Sequence, residues 1–467
     1  MPKTDFTILN RRRFLGGCAA AAACSACPSI CTAASPAIPD VKARVRLVFA
    51  YPPKPIEGWP YLGYDHQGRA AEITTRLRHA CPEIDFVTSA IANEAAGKEV
   101  LAGDRDIDGY MVFITGIPAS AHRPFAYSGV PVVLVDDLYG GTGAFLSTYP
   151  DARRKGMPIA GVSSTDFKDV AQAARMFAVR RKLKESIILD VTNRDVSASF
   201  KTFRDNLGPT VKLISGQELD GFYRKADRAE GRKWAQTWMA GAAKVVEPTA
   251  RELEDSGTMY VAMREMMAEH KAQGIAVDCL SLFYGNKLAA YPCMGFFQMN
   301  NDGLVGACEA DLQSAATMLV LTYLTGKPGY ISDPVIDTSK NQIIYAHCVA
   351  PNKVWGPKGA SNAYELRSHS EDRKGAAVRS LMPLGPMTTT LKFVPQRKTM
   401  VIHTGKAVDN IDDDKACRTK LAVQVKDARK LMGGWDYGWH RVTVYGDERA
   451  ALVMFSDLAG FAVEEEG

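Results

Sequence analysis

The run Gly109-Tyr110-Met111-Val112-Phe113-Ile114-Thr115 and, after a turn-rich interval, Val130-Pro131-Val132-Val133-Leu134-Val135 decide the fold class of this 467-residue chain. Both are short, continuously apolar, rich in β-branched and aromatic residues, and bounded by Gly and Asp. A strand covered on both faces reads this way, whereas a half-exposed strand alternates. Working outward, strands are predicted at 45–51 and 84–88, with helices over 69–80 and through Leu101. Strand and helix alternate, which argues a parallel sheet with helices on both sides.

The same logic repeats downstream. Residues 160–162 lead into Ser163-Ser164-Thr165-Asp166, a helix over 167–181 and a strand over 186–191. Helical stretches follow at 221–246 and 248–273, and a strand at 275–279 closes the unit. The expected architecture is α/β: two consecutive doubly wound parallel-sheet domains, 44–160 and 161–300, then a helix and a mostly β C-terminal domain over 301–467. That last domain is predicted from strands at 342–346, 388–393, 399–403, 421–425 and 441–445, separated by Gly, Pro and Asp turns. In open parallel sheets the carboxyl strand ends carry ligand loops. Gly140-Gly141-Thr142-Gly143 lacks the Lys of a phosphate cradle and reads as a mobile loop.

Composition is that of an ordinary globular enzyme, with 46% hydrophobic and 23% charged residues and a net charge of +5. No basic stripe with interleaved aromatics occurs, which excludes nucleic acid as an implied partner. No hydrophobic run in the mature chain reaches the length of a stable membrane span. The N-terminal Asn10-Arg11-Arg12-Arg13-Phe14-Leu15, with the Ala-rich 16–26 behind it, resembles a twin-arginine export signal, assigned to residues 1–37 and set apart from the fold. Export to the periplasm or another extracytoplasmic space is expected. A lipid anchor at Cys18 is disfavoured, because Leu15-Gly16-Gly17-Cys18 precedes the apolar stretch rather than ending it. Six cysteines follow Ala34, namely Cys81, Cys279, Cys293, Cys308, Cys348 and Cys417. They are read either as buried small residues or as disulfide partners in an oxidising compartment.

The chemistry concentrates in Cys308-Glu309-Ala310-Asp311. A turn at Asn300-Asn301-Asp302-Gly303 precedes it, and Leu312, Ala316, Leu319 and Tyr323 recur behind it at helical spacing until Gly326 and Pro328. Carboxylates at a helix N-terminus are favoured by the dipole, where they can bind a metal, act as a base, or cap the helix. Histidines 347, 369, 403 and 440 lie in the last quarter of the chain, beside polar clusters such as Tyr364-Glu365-Leu366-Arg367-Ser368-His369 and Gly438-Trp439-His440-Arg441. His347 and His440 are expected to line a cleft and His403 to be structural.

Glu-Ala-Asp before a small-residue helix resembles the metal-binding segment of L-fucose isomerase. Ala346-His347-Cys348 with Pro351, and Gly438-Trp439-His440-Arg441, resemble the histidine segments of L-arabinose isomerase and its relatives. The isomerase resemblance implies a metal-dependent carbohydrate enzyme of isomerase descent that moves a proton between adjacent carbons of a sugar or sugar acid, and the N-terminal motif implies that it is exported. It implies Glu309, Asp311 and His347 as catalytic residues, and Asp311, His347 and His440 as ligands of manganese or magnesium. Arg367, His369 and Trp439 are the candidates for substrate binding, and a homo-oligomer is expected. The window 284–289, where that family has a second carboxylate, contains none, which leaves Glu309 or Asp278 to substitute. The competing expectation is a non-catalytic periplasmic sugar-binding protein on the same scaffold.

Overall fold

The structure is a computed structural model that describes residues 38–52, 59–117 and 120–467. The expected export signal, 1–37, lies outside the described residues. Five strands, β1 (Ala43–Ala50), β2 (Ile84–Ile91), β3 (Gly109–Ile114), β4 (Val132–Asp136) and β5 (Ile159–Ser163), form an all-parallel sheet in the order β2-β1-β3-β4-β5. Every residue of β3 is buried, as its unbroken apolar run requires. A second parallel sheet is built from β6 (Ile187–Val191), β7 (Thr210–Ile214), β9 (Gly274–Val277) and β10 (Val305–Cys308), in the order β10-β9-β6-β7.

The β-rich remainder is a closed barrel. Its strands are β11 (Tyr330–Asp337), β12 (Gln342–His347), β15 (Met387–Val394), β16 (Thr399–Asn410), β17 (Thr419–Gln424) and β18 (Arg441–Tyr445). They run β15-β18-β11-β12-β17-β16, all antiparallel, and β16 pairs back onto β15. Closure leaves no unpaired edge between these strands. Tyr330, Ile343, Tyr345, Leu421, Val423 and Tyr445 pack together in one buried cluster of this region. β19 (Ala462–Glu465) adds to β16 in parallel, and β8 (Lys244–Val245), β13 (Tyr364–Arg367) and β14 (Ala377–Ser380) make a small side sheet.

The helix Leu312–Thr325 joins the second sheet to the barrel. Asp311 caps it by accepting from Ser314 N, and Gly326 ends it in the left-handed conformation at φ 69°. It is buried on nearly every side, as its continuous apolarity demands. Its N-terminus therefore stands where sheet and barrel meet.

Four local expectations change. Gly140–Gly143 is the entry to the helix Thr142–Arg154; a Cβ on Gly141 would lie 2.4 Å from Ile114 O, so only glycine permits this approach. The stretch 221–246 contains parts of two helices, Gly216–Lys225 and Arg228–Gly241, because Asp227 caps the second. Asn300 and Asn301 finish the helix Cys293–Asn301, and the turn begins at Asp302. Strand β11 was not expected at all: Pro334 argues against a central strand, but the pairing of β11 with β18 ends at Ser332, so the proline sits beyond that ladder.

Candidate active site

Two parts of the chain converge on the site. At the carboxyl end of the second sheet, Glu309 and Ala310 both adopt left-handed backbone conformations, φ 60° and 51°. Ala310 N donates to Val277 O at 3.0 Å, fastening this turn to β9 before Asp311 starts the helix. Non-glycine residues rarely occupy that region, and such strain concentrates at working sites. The barrel supplies the rest. Asp333 lies on β11, opposite Ala346 of β12, and Ser332 lies opposite Arg441 of β18. That register sets Asp333 beside both His347 and His440.

Glu309, Asp333, His347 and His440 each offer one ligand atom, and these atoms lie within 4.8 Å of one another. His440 Nε2 is 3.1 Å from Asp333 Oδ1 and 3.5 Å from Glu309 Oε2, and His347 Nε2 is 3.8 Å from Glu309 Oε1. Both Nε2 atoms are buried and lack a well-directed hydrogen bond; the close approach of His440 to Asp333 is misaligned. Two orphaned imidazole nitrogens facing two carboxylates suit a divalent cation with oxygen and nitrogen preferences. The backbone N–H of Cys348 reaches His347 Nδ1 at 2.9 Å, which puts the neutral ring's proton on Nε2. Taking a cation at Nε2 requires the other tautomer and the loss of that local contact.

Behind His440 stands Asp311. Its Oδ2 lies 3.0 Å from His440 Nδ1 and accepts from Lys392 Nζ at 3.0 Å, while its Oδ1 accepts from Ser314 N. A carboxylate on the far nitrogen of an imidazole orients the ring toward whatever the near nitrogen meets. Burial opposes ionisation of Asp311, but the bond to His440 and the charge on Lys392 prevail and hold it well below the usual carboxylate range. Burial likewise opposes charge on His440, yet the bond to Asp311 and the nearby carboxylates of Asp333 and Glu309 raise it to about 11. Burial lowers His347.

The sequence candidates separate. Glu309, His347 and His440 meet in the cluster. Asp311 is not in that set; it caps the helix and grips His440 from behind. Trp439 is 60% exposed and donates to Asp333 Oδ1 at 2.7 Å, so it stands at the rim. Arg367 is held by Glu247 through three hydrogen bonds, with Glu365 and Asp414 nearby. His369 stacks on Tyr291 at 4.5 Å. His403 bonds to Tyr345 and Glu466, away from the cluster. Asp278 accepts from Thr192 and pairs with Arg194. The residues that sequence reasoning passed over are Asp333 and Lys392. A hairpin partner for 342–346 ahead of the Asp337–Asn341 turn was the signal that would have exposed β11 and its aspartate.

No family model matches the chain. It is similar to the sulfoquinovose isomerase of Clostridium sp. (strain MSTE9), 26% identical over 276 residues that make up 55% of this chain and 58% of that protein. The sulfoquinovose isomerase of Alkalicoccus urumqiensis is 33% identical over 208 residues, 43% of this chain and 45% of the relative. That of Priestia megaterium (strain ATCC 12872 / QMB1551) is 25% identical over 196 residues, 41% and 43% respectively. The chain spans about half the length of the curated relatives it matches.

Proposed function

We propose that this protein is a metal-dependent sugar isomerase that interconverts an aldose and a ketose, with a sugar of the sulfoquinovose kind as its substrate. The observation that carries the reading is the Glu309, Asp333, His347 and His440 cluster at the carboxyl end of a parallel sheet, supported by the similarity to sulfoquinovose isomerases. Those four side chains would hold manganese or magnesium, which when bound polarises the sugar's carbonyl and neighbouring hydroxyl.

The chain's own groups do the remaining work. Glu309, about one-third exposed, reaches the cleft and acts as the base that takes the proton from the carbon beside the carbonyl. The same carboxyl returns that proton to the former carbonyl carbon, while the hydroxyl proton passes to the carbonyl oxygen. Asp333 is steadied by Trp439, and Asp311 holds His440 in register. Trp439 offers its exposed ring face to the sugar. Export by the twin-arginine route and assembly into a homo-oligomer belong to the same proposal, on the residue 10–15 motif and the isomerase resemblance.

The test is elemental analysis of the purified protein after reconstitution with manganese or magnesium, beside a turnover assay by NMR on sulfoquinovose and on unsulfonated aldoses. About one ion per chain with isomerisation is expected, both lost in Glu309→Gln. Sugar binding with neither metal nor turnover would overturn the proposal in favour of a binding protein.

A further inference from the structure

Three cysteines stand beside this cluster. Cys308 directly precedes Glu309, Cys348 directly follows His347, and Cys417 Sγ lies 3.9 Å from Asp333 Oδ2. Among the described residues the one grouping of three or more His, Cys, Asp or Glu side chains tight enough to hold a metal is the Glu309 set, and it includes no sulfur. A fourth cysteine touches one of the three. Cys279 Sγ and Cys308 Sγ are 3.1 Å apart, and both residues are buried, at 2% and 4% exposure. Their placement follows from the sheet: Cys308 ends β10 in register with Val277 of β9, and Cys279 lies two residues beyond. The sulfurs have about 1 Å left to travel to disulfide bonding distance. Cys81 provides a contrast within the same chain, since its buried sulfur donates to the carbonyl of Ala171.

We propose that Cys279 and Cys308 are a redox pair that closes to a disulfide across the carboxyl ends of β9 and β10. The bond ties the left-handed Glu309-Ala310 turn covalently to the start of the helix that follows β9, beside the hydrogen bond from Ala310 to Val277 that already fastens it. The linkage itself does not rest on the reading of Glu309 as a metal ligand.

The oxidant is a small-molecule disulfide such as glutathione disulfide. Cys279 opens the short helix Cys279–Tyr284, whose Ser281 and Tyr284 are exposed together with the following Gly285, Asn286 and Lys287. A brief opening of that helix uncovers the Cys279 sulfur, whose thiolate attacks one glutathione sulfur and releases the other glutathione as a thiol. The Cys308 thiolate then attacks the mixed disulfide. The Cys279–Cys308 bond forms, the second glutathione leaves, and the two cysteine protons end on the two glutathione thiols.

The experiment treats the full-length protein with glutathione disulfide or with reduced glutathione, quenches in acid, alkylates in denaturant and maps the peptides by mass spectrometry. The expected result is a Cys279–Cys308 cross-linked peptide in the oxidised sample only, with Cys81 alkylated in both. The thermal midpoint should rise by a few degrees on oxidation of the wild type and stay still in Cys279→Ala and in Cys308→Ala. Recovery of Cys279 and Cys308 as alkylated thiols after oxidation would overturn the proposal, and so would a cross-link confined to Cys348 and Cys417. Metal content is read on the same samples. A cross-link without metal retains the redox pair and counts against the metal reading alone.

Discussion

Asp311 shows how one side chain serves both fold and chemistry. It caps a helix and also anchors His440, so Asp311→Asn separates the two roles: asparagine caps as well as aspartate but cannot accept from Lys392 with a full negative charge. Turnover is expected to fall about 10–100-fold, as for other partners that orient a metal-bound imidazole, with the thermal midpoint nearly unchanged. Steady-state kinetics beside a melting curve checks both halves. Asp190 makes the opposite case. Both of its oxygens are buried without a hydrogen-bond partner, and burial, with Asp278 nearby and only partly offset by Arg194, pushes its carboxyl up to about 7. A carboxyl raised in the folded state binds its proton more tightly there than when unfolded. Its penalty is therefore absent below the unfolded value and grows as pH rises toward 7. Asp190→Asn should thus gain stability over the wild type at pH 8, on the order of 4 kcal/mol at most, and show no gain at pH 4. Urea unfolding of both proteins at the two pH values measures it; equal differences at both would refute the assignment. The cluster residues divide the same way in legibility. Glu309, His347 and His440 were readable because they sit in short polar motifs, whereas Asp333 was hidden by the proline that follows it.

Among the elements, the helix Leu312–Thr325 is the one that transmits packing to the site. Leu319 is 1% exposed within the main core, and Leu319→Ala is expected to destabilise the protein by about 2–5 kcal/mol. Chemical denaturation would show it, and a loss under 1 kcal/mol would mean that this buried helix does not carry the packing between sheet and barrel. This helix was legible from its spacing, its flanking acids and Gly326, because local capping and periodicity depend on neighbours in sequence. The helix Thr142–Arg154 was not, because its start depends on a remote contact, Gly141 packed against Ile114, as well as on Thr142 Oγ1 donating to Asp136 at the end of β4. Strand β11 fits that pattern, as its identity lies in the ladders it makes with β12 and β18 rather than in its own residues.

At the scale of the molecule, the barrel is closed by charge as well as by hydrogen bonds. Arg441, fully buried, is held by Glu466 near the C-terminus, which also bonds His403. Burial opposes ionisation of Glu466, but His403 and Arg441 keep it below the ordinary range. A carboxylate depressed in the folded state contributes stability above its unfolded pKa and loses it as pH falls through the folded value. Glu466→Ala is expected to cost about 3–5 kcal/mol at pH 7, because it leaves a buried guanidinium without its carboxylate. The deficit should shrink in acid, and melting curves from pH 7 to pH 3 would track it. The sequence by itself determined the alternation of strands and helices, the parallel sheets, the β-rich end and the acidic helix entry, since each depends on burial patterns and caps within a few residues. Only the tertiary structure decided that the β segments close into a barrel, that Asp333 rather than Asp311 joins Glu309 and the two histidines, and that Cys279 meets Cys308. Those outcomes depend on strand register across gaps of many residues, and register is set by packing that no local window contains.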